Sequence, residues 1–395
     1  MTGTLLQLDE PRPPEGLALW QLGFRPFYLL ASIFAALSIP LWALQFAGLL
    51  PGAYLGGPMW HAHEMLFGFT LAVIVGFLFT AGRNWSNQPT PTGPALAALA
   101  LLWVAARLLM LTPWGWAAAA ANVGFVLAAA FGLARPLLAA RNRRNYFFVG
   151  RLLLLAAAAL ALHLQWLGVL SLPPWASITL ALDVVLFIMT VMTGRVVPMF
   201  TNNGVPGARA ARHAGLERLV LGSVLTLLVA DLLQLPPTLL AGIAALGAAA
   251  HLARWWLWQP WTTLRTPIVW VLHAAYLWIP IHLALRAAAG LGAVPSSLAA
   301  HALTAGAAGG LIIGMMTRTA RGHTARPLRA DRADVTCYGL VLGAALVRVG
   351  LPLLHPAWTV AAVLVSATLW SAGFGLYALR YAPVLLRPRL DGRPG

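Results

Sequence analysis

The stretch Trp60-His61-Ala62-His63-Glu64-Met65-Leu66-Phe67-Gly68-Phe69-Thr70-Leu71-Ala72-Val73-Ile74-Val75-Gly76-Phe77-Leu78-Phe79-Thr80-Ala81 decides how this chain is read. Two imidazoles and a carboxylate stand at its start, and no charge follows until Arg83. A helix over 60–81 reaches roughly 33 Å at 1.5 Å per residue, enough to cross about 30 Å of hydrocarbon. An ionisable side chain facing lipid costs on the order of 3 kcal/mol or more, so these groups should face protein, water or a cofactor.

The rest of the chain has the same character. Of 395 residues, 60% are hydrophobic and 9% charged, and the mean hydropathy is +0.78. Apolar runs of spanning length lie at 27–49, 60–81, 94–112, 114–134, 146–169 and 175–199. Six more follow at 215–235, 237–257, 266–289, 296–317, 333–354 and 357–379. The expected fold is all-α and integral to a membrane, with about twelve transmembrane helices in one domain over 26–382. Residues 1–25, with Asp9, Glu10 and Glu15 but no apolar core, read as a cytoplasmic tail and not a cleaved signal, and 383–395 as a second tail.

The net charge of +16 consists of arginines that follow the loops, with no compact patch for nucleic acid. They gather after even-numbered runs, as at Arg83, Arg135, Arg141, Arg209, Arg254, Arg265, Arg318 and Arg387. The loops at Pro51, Pro113, Pro173, Pro236, Gly292 and His355 carry almost none, which puts both termini in the cytoplasm. The single Cys337 excludes an intrachain disulfide. No Gly-rich phosphate loop follows a strand, so nucleotide binding is not expected.

On this topology His61, His63, His163, His282, His301 and His355 lie toward the outer face. His273 is deeper, His251 nearer the inner face, and His213 and His323 fall in cytoplasmic loops. In a regular helix His61 and His63 point about 160° apart and would serve different sites, whereas a helix beginning after His63 would let both chelate one ion. His61 and Glu64 would share a face, a carboxylate beside a ligand being a common way to fix its tautomer. With Met59 and Met65 nearby, such imidazoles suit copper or haem iron better than calcium or magnesium.

Runs two, six and ten each end in a Thr/Gly/Arg punctuation, at Thr80-Ala81-Gly82-Arg83, Thr193-Gly194-Arg195 and Thr317-Arg318. Three four-helix units around a pseudo-threefold axis would produce that spacing. Chance similarity among Gly-rich helices accounts for it equally well. In the twelve-helix catalytic subunit of haem-copper oxidases, histidines of the second and tenth helices grip a haem, and His61 or His63 and His301 occupy matching helices. That likeness concerns fold alone.

Several blocks taken together resemble the NnrS family, haem- and copper-containing bacterial membrane proteins associated with tolerance to nitric oxide and with denitrification. They are Gly23-Phe24-Arg25-Pro26-Phe27-Tyr28, Trp60 to Gly68 with Asn84-Trp85, and Gly194-Arg195-Val196-Val197-Pro198-Met199-Phe200-Thr201. Leu272-His273-Ala274-Ala275-Tyr276, His301-Ala302-Leu303-Thr304, Met316-Thr317-Arg318 and Gly322-His323-Thr324 complete the order. The resemblance implies a multi-pass protein of the bacterial inner membrane that holds haem and copper on His61, His63, His273 and His301. His323 ranks lower, as a cap or lipid contact. Arg107 and Arg348 are candidates for haem propionates, with snorkelling as the alternative. Arg195 with Asn202 and Asn203 reads as a structural lock, and Asp183 as either a proton-path or a structural carboxylate.

Span six has no histidine and no His-His pair occurs, which disfavours oxygen reduction. The function implied is binding or detoxifying nitric oxide in nitrosative stress, with reduction requiring an electron donor. Sequestration of metal or nitric oxide without turnover is a further reading. The rival is a secondary transporter of a small solute or metal, built on Arg107, Asp183 and Asp231.

Overall fold

A computed structural model describes residues 16–49 and 54–393. The first half comprises α1 (Phe24–Phe46), α2 (Gly57–Ser86), α3 (Gly93–Leu109), α4 (Gly115–Ala139), α5 (Tyr146–Trp166) and α6 (Ala176–Gly204). The second comprises α7 (Ala214–Leu232), α8 (Pro237–Leu257), α9 (Pro267–Gly290), α10 (Ser296–His323), α11 (Arg332–Leu354) and α12 (Thr359–Leu386). All twelve expected helices are there, and the described residues contain no strand. The expected tail as far as residue 15, and the loop at Pro51, lie outside the described residues.

Ten of the twelve are long and apolar enough to cross a membrane. The exceptions have physical reasons. α3 has 17 residues, about 26 Å of helix, and Pro113 discourages helix at the residue before it. α7 carries Glu217, Arg218 and Asp231 within 19 residues. Elsewhere helices outrun their apolar stretches: α6 continues to Gly204 through Pro198, α10 to His323 and α12 to Leu386. Polar residues there find partners across the bundle, so the helix need not end where the apolar run does.

The even number of helices returns the chain to where it began. Ala18 N donates to the Leu386 carbonyl at 2.8 Å, and buried Arg25 donates to the carbonyls of Leu385 (2.9 Å) and Arg387 (2.7 Å). Phe24 N donates to Thr80 Oγ1 at 3.1 Å. A Cβ on Gly23 would lie 2.6 Å from Phe79 Cβ, so the Gly23–Tyr28 block is the clasp of this terminal face. His323, expected in a loop, is the last residue of α10 and packs its ring 5.6 Å from Phe24.

α2, α9 and α10 are the most buried rods. α1, α5 and α9 lie along α12, α4 and α8 respectively. Both α2 and α10 widen into a π turn one to two turns after their start, over Glu64–Thr70 and Ala302–Ala308. Such widened turns inside α-helices are found mostly at functional sites. The Leu71 amide reaches back to the Leu66 carbonyl, and the Gly68 carbonyl accepts from Trp103 Nε1 at 3.1 Å.

Several charges inside the bundle are paired with carboxylates. Arg254, expected beside a loop, is instead buried within α8 and grips Glu217 of α7 with both Nε (3.0 Å) and Nη2 (2.6 Å), while Nη1 donates to the Thr190 carbonyl at 3.0 Å. Gly194 leaves the space that this guanidinium occupies. Arg195 donates to Asn145 at 2.8 Å, whereas Asn202 closes on the backbone of Ala210. The expected lock is therefore two separate contacts, because Arg195 and Asn202 bond to different elements. Removing one partner of a buried pair costs about 3–5 kcal/mol. Arg254→Met should accordingly lower the thermal unfolding midpoint sharply, and Arg254→Met/Glu217→Gln should recover part of the loss. A double variant no more stable than the single one would contradict this account.

Candidate functional site

His61 and His63 both belong to the first turns of α2, so their rings diverge as a regular helix requires. His61 stacks on Trp42 of α1, with centroids 5.0 Å apart and 14° between planes. Its ring also lies nearly parallel to that of His301 of α10, with centroids 6.1 Å apart and 10° between planes. The second and tenth helices thus meet at their imidazoles. His301 Nδ1 is 2.7 Å from the Ser297 carbonyl, which assigns its hydrogen to Nδ1 and leaves Nε2 free for a ligand. Arg348 of α11 is close enough for its charge to act on both rings.

His63 turns inward and is fully buried. Its Nε2 lies 3.2 Å from Nε2 of His163 on α5, and its Nδ1 lies 2.7 Å from Glu64 Oε1. Glu64 therefore attends His63 and not His61. The helix is still regular at Glu64, whose amide reaches back to the Trp60 carbonyl, so it is the side chain, held by Arg107, that turns the carboxylate to His63. Arg107 Nη1 donates to the same Oε1 at 2.6 Å, and Nη2 donates to Asn122, itself held by the Ala118 carbonyl at 2.8 Å. A Cβ on Gly68 would come within 2.6 Å of Arg107 Nη1, so glycine is what admits the guanidinium.

This chain of contacts sets a tautomer. An oxygen that accepts from a guanidinium is an acceptor toward its other neighbour too, so the His63 hydrogen sits on Nδ1 and a lone pair points from Nε2 at His163. Tyr54 OH, 3.4 Å from His163 Nδ1 with the rings 5.8 Å apart and nearly parallel, backs the second imidazole. Among the described residues no group of three or more His, Cys, Asp or Glu is placed to hold a metal ion; the arrangement is of two imidazole pairs.

His273 stands apart from both. Six residues into α9, it is 2.8 Å from Thr201 Oγ1 near the opposite end of α6, toward the terminal face. His282, nine residues further along α9, is 2.7 Å from the Ala299 carbonyl of α10. Asp183 and Asp231, on α6 and α7, both accept from Arg286 of α9, the former at 2.7 Å. With Arg107 held by Glu64, the three charges on which a transporter reading rests are committed to partners.

Sequence reasoning placed His163 near the outer end of its helix but did not single it out, and nothing around it in sequence marks it. Only the depth it shares with His63 could have suggested the pair. Arg286, the hub of the acidic pair, carries no sequence signal. A family model described as NnrS protein matches residues 18–389, and no curated protein matches. In metal-free protein labelled with ¹⁵N-histidine, His63 should carry its hydrogen on Nδ1 and show a bare Nε2, and Glu64→Leu should abolish that preference. A bare Nδ1 in the unsubstituted protein would refute the assignment.

Proposed function

The chain belongs to the NnrS family, and on that premise we propose a haem- and copper-binding membrane protein that binds or detoxifies nitric oxide. Family membership suggests a role in the nitric oxide response. The observation that carries the finer reading is the pairing of four imidazoles from α2, α5 and α10 at one end of the bundle.

Each pair suits a metal ion. The Nε2 atoms of His63 and His163 face each other 3.2 Å apart, and imidazole nitrogens are ligands that copper accepts. His63 and His163 would be the residues to hold copper. His61 and His301 form the other pair, with ring centroids 6.1 Å apart and nearly parallel planes. This second pair is the candidate for haem iron, and Arg348 beside it for a propionate. Bound there, haem and copper would supply a binding centre for nitric oxide and a route for electrons.

The protein's own contribution is orientation and dryness. Glu64 and Arg107 hold His63 in one tautomer, as a partner behind a metal ligand does. Trp42 stacks on His61, and the Phe67 ring lies 5.2 Å from that of His63. Reduction of nitric oxide would need protons and an electron donor, so binding or sequestration is the simpler form of the activity. The inner-membrane location with cytoplasmic termini is supported by the arginines of the terminal face, since Arg107, Arg286 and Arg348 are the main cations toward the other end.

Purified protein should contain iron and copper and show a haem Soret band that shifts on adding nitric oxide. His301→Ala should remove the band, while His63→Ala/His163→Ala should lose copper and keep it. A Soret band indifferent to nitric oxide would end the reading of direct nitric oxide chemistry, and absence of both metals would end the metalloprotein reading.

A further inference from the structure

At the terminal face, far from the histidine pairs, a cavity of about 220 Å³ opens between the ends of α10 and α12 and the loop after α10. Arg321, Arg326, Arg380 and Arg387 line it with Tyr381, and Pro383 and Val384 give it an apolar wall. Four guanidiniums around one cavity this small demand negative charge. The protein supplies two carboxylates. Asp334 and Asp331 accept from Arg321 at 2.6 and 3.0 Å, and Asp331 accepts from Arg380 as well.

The other two arginines have no carboxylate among the described residues. Arg326 reaches only the Thr324 carbonyl, at 3.5 Å, and Arg387 offers its backbone carbonyl to Arg25. Burial, with the neighbouring charges of Arg321 and Arg387, holds the Arg326 guanidinium below its ordinary pKa in spite of Tyr381. Such crowding of cations is relieved by an anion.

We propose that this cavity binds the phosphate of an anionic ligand, with Arg326 and Arg387 as the unneutralised cations that recognise it. Guanidinium forks match phosphate oxygens in pairs. The cavity is smaller than the roughly 300–1,000 Å³ that organic cofactors occupy, and it sits at the ends of membrane-crossing helices, where basic pockets meet lipid headgroups. The apolar wall of Pro383 and Val384 would face the glycerol side of a phosphodiester. The same chemistry would accept free inorganic phosphate. This inference is independent of the metal reading, since no histidine of either pair lines the cavity.

The full chain, purified in a neutral detergent, should bind phosphatidylglycerol in preference to phosphatidylcholine, read by native mass spectrometry and by a rise in thermal midpoint. Arg326→Gln/Arg387→Gln, which leaves both carboxylate pairs intact, should weaken that binding by about tenfold or more, as expected for loss of charge-assisted hydrogen bonds. Phosphatidylglycerol binding that millimolar phosphate does not displace identifies a lipid as the ligand. Displacement by phosphate, with the same loss in the variant, identifies a free phosphate. If the unsubstituted protein neither prefers phosphatidylglycerol nor responds to phosphate, the proposal is overturned without recourse to the variant. Equal binding by a variant of unchanged helix content overturns it too.

Discussion

A single buried oxygen, Glu64 Oε1, lies between His63 and Arg107 and organises the interior around it. In a bundle surrounded by hydrocarbon no water waits to satisfy a displaced charge, so each member of this group depends on the others. Arg107 needs the carboxylate to be buried at all, the carboxylate needs Arg107, and the imidazole takes its tautomer from both. Gly68 admits the guanidinium, which holds the Glu64 carboxylate beside His63 and not beside His61.

The same constraint recurs through the bundle. Arg254 with Glu217, Arg286 with Asp183 and Asp231, and Arg321 with Asp331 and Asp334 each tie separate helices together. Buried pairs of this kind add little net stability compared with apolar packing, but they are costly to break, and so they favour one arrangement of helices over others. The glycines of α10 act alongside them. A Cβ at Gly310 or Gly314 would press within 3 Å of α9 side chains, so these glycines let α10 pack closely on α9.

Much of the fold was legible because length and apolarity are local properties. All twelve helices lie where apolar runs of spanning length predict them, and the errors fall at the ends, where Arg254, His323 and the last turns of α6 and α12 stay helical on contacts to other helices. The site was legible in part. His61, His63 and His301 stand out by motif and depth, whereas His163 and Tyr54 join the site from segments without any marked pattern. Glu64 was legible as a residue but its partner was not, since Arg107 of another helix decides which way the carboxylate turns.

From its sequence alone this protein is an all-helical membrane protein with histidines massed toward one end, because crossing hydrocarbon requires long apolar helices and penalises every unpaired ionisable group. Which imidazole faces which, where Arg107 spends its charge and which arginines are left without a carboxylate were decided only by the tertiary structure. Those outcomes depend on helix rotation, on two widened turns and on contacts between residues a hundred or more positions apart, and no local pattern encodes them.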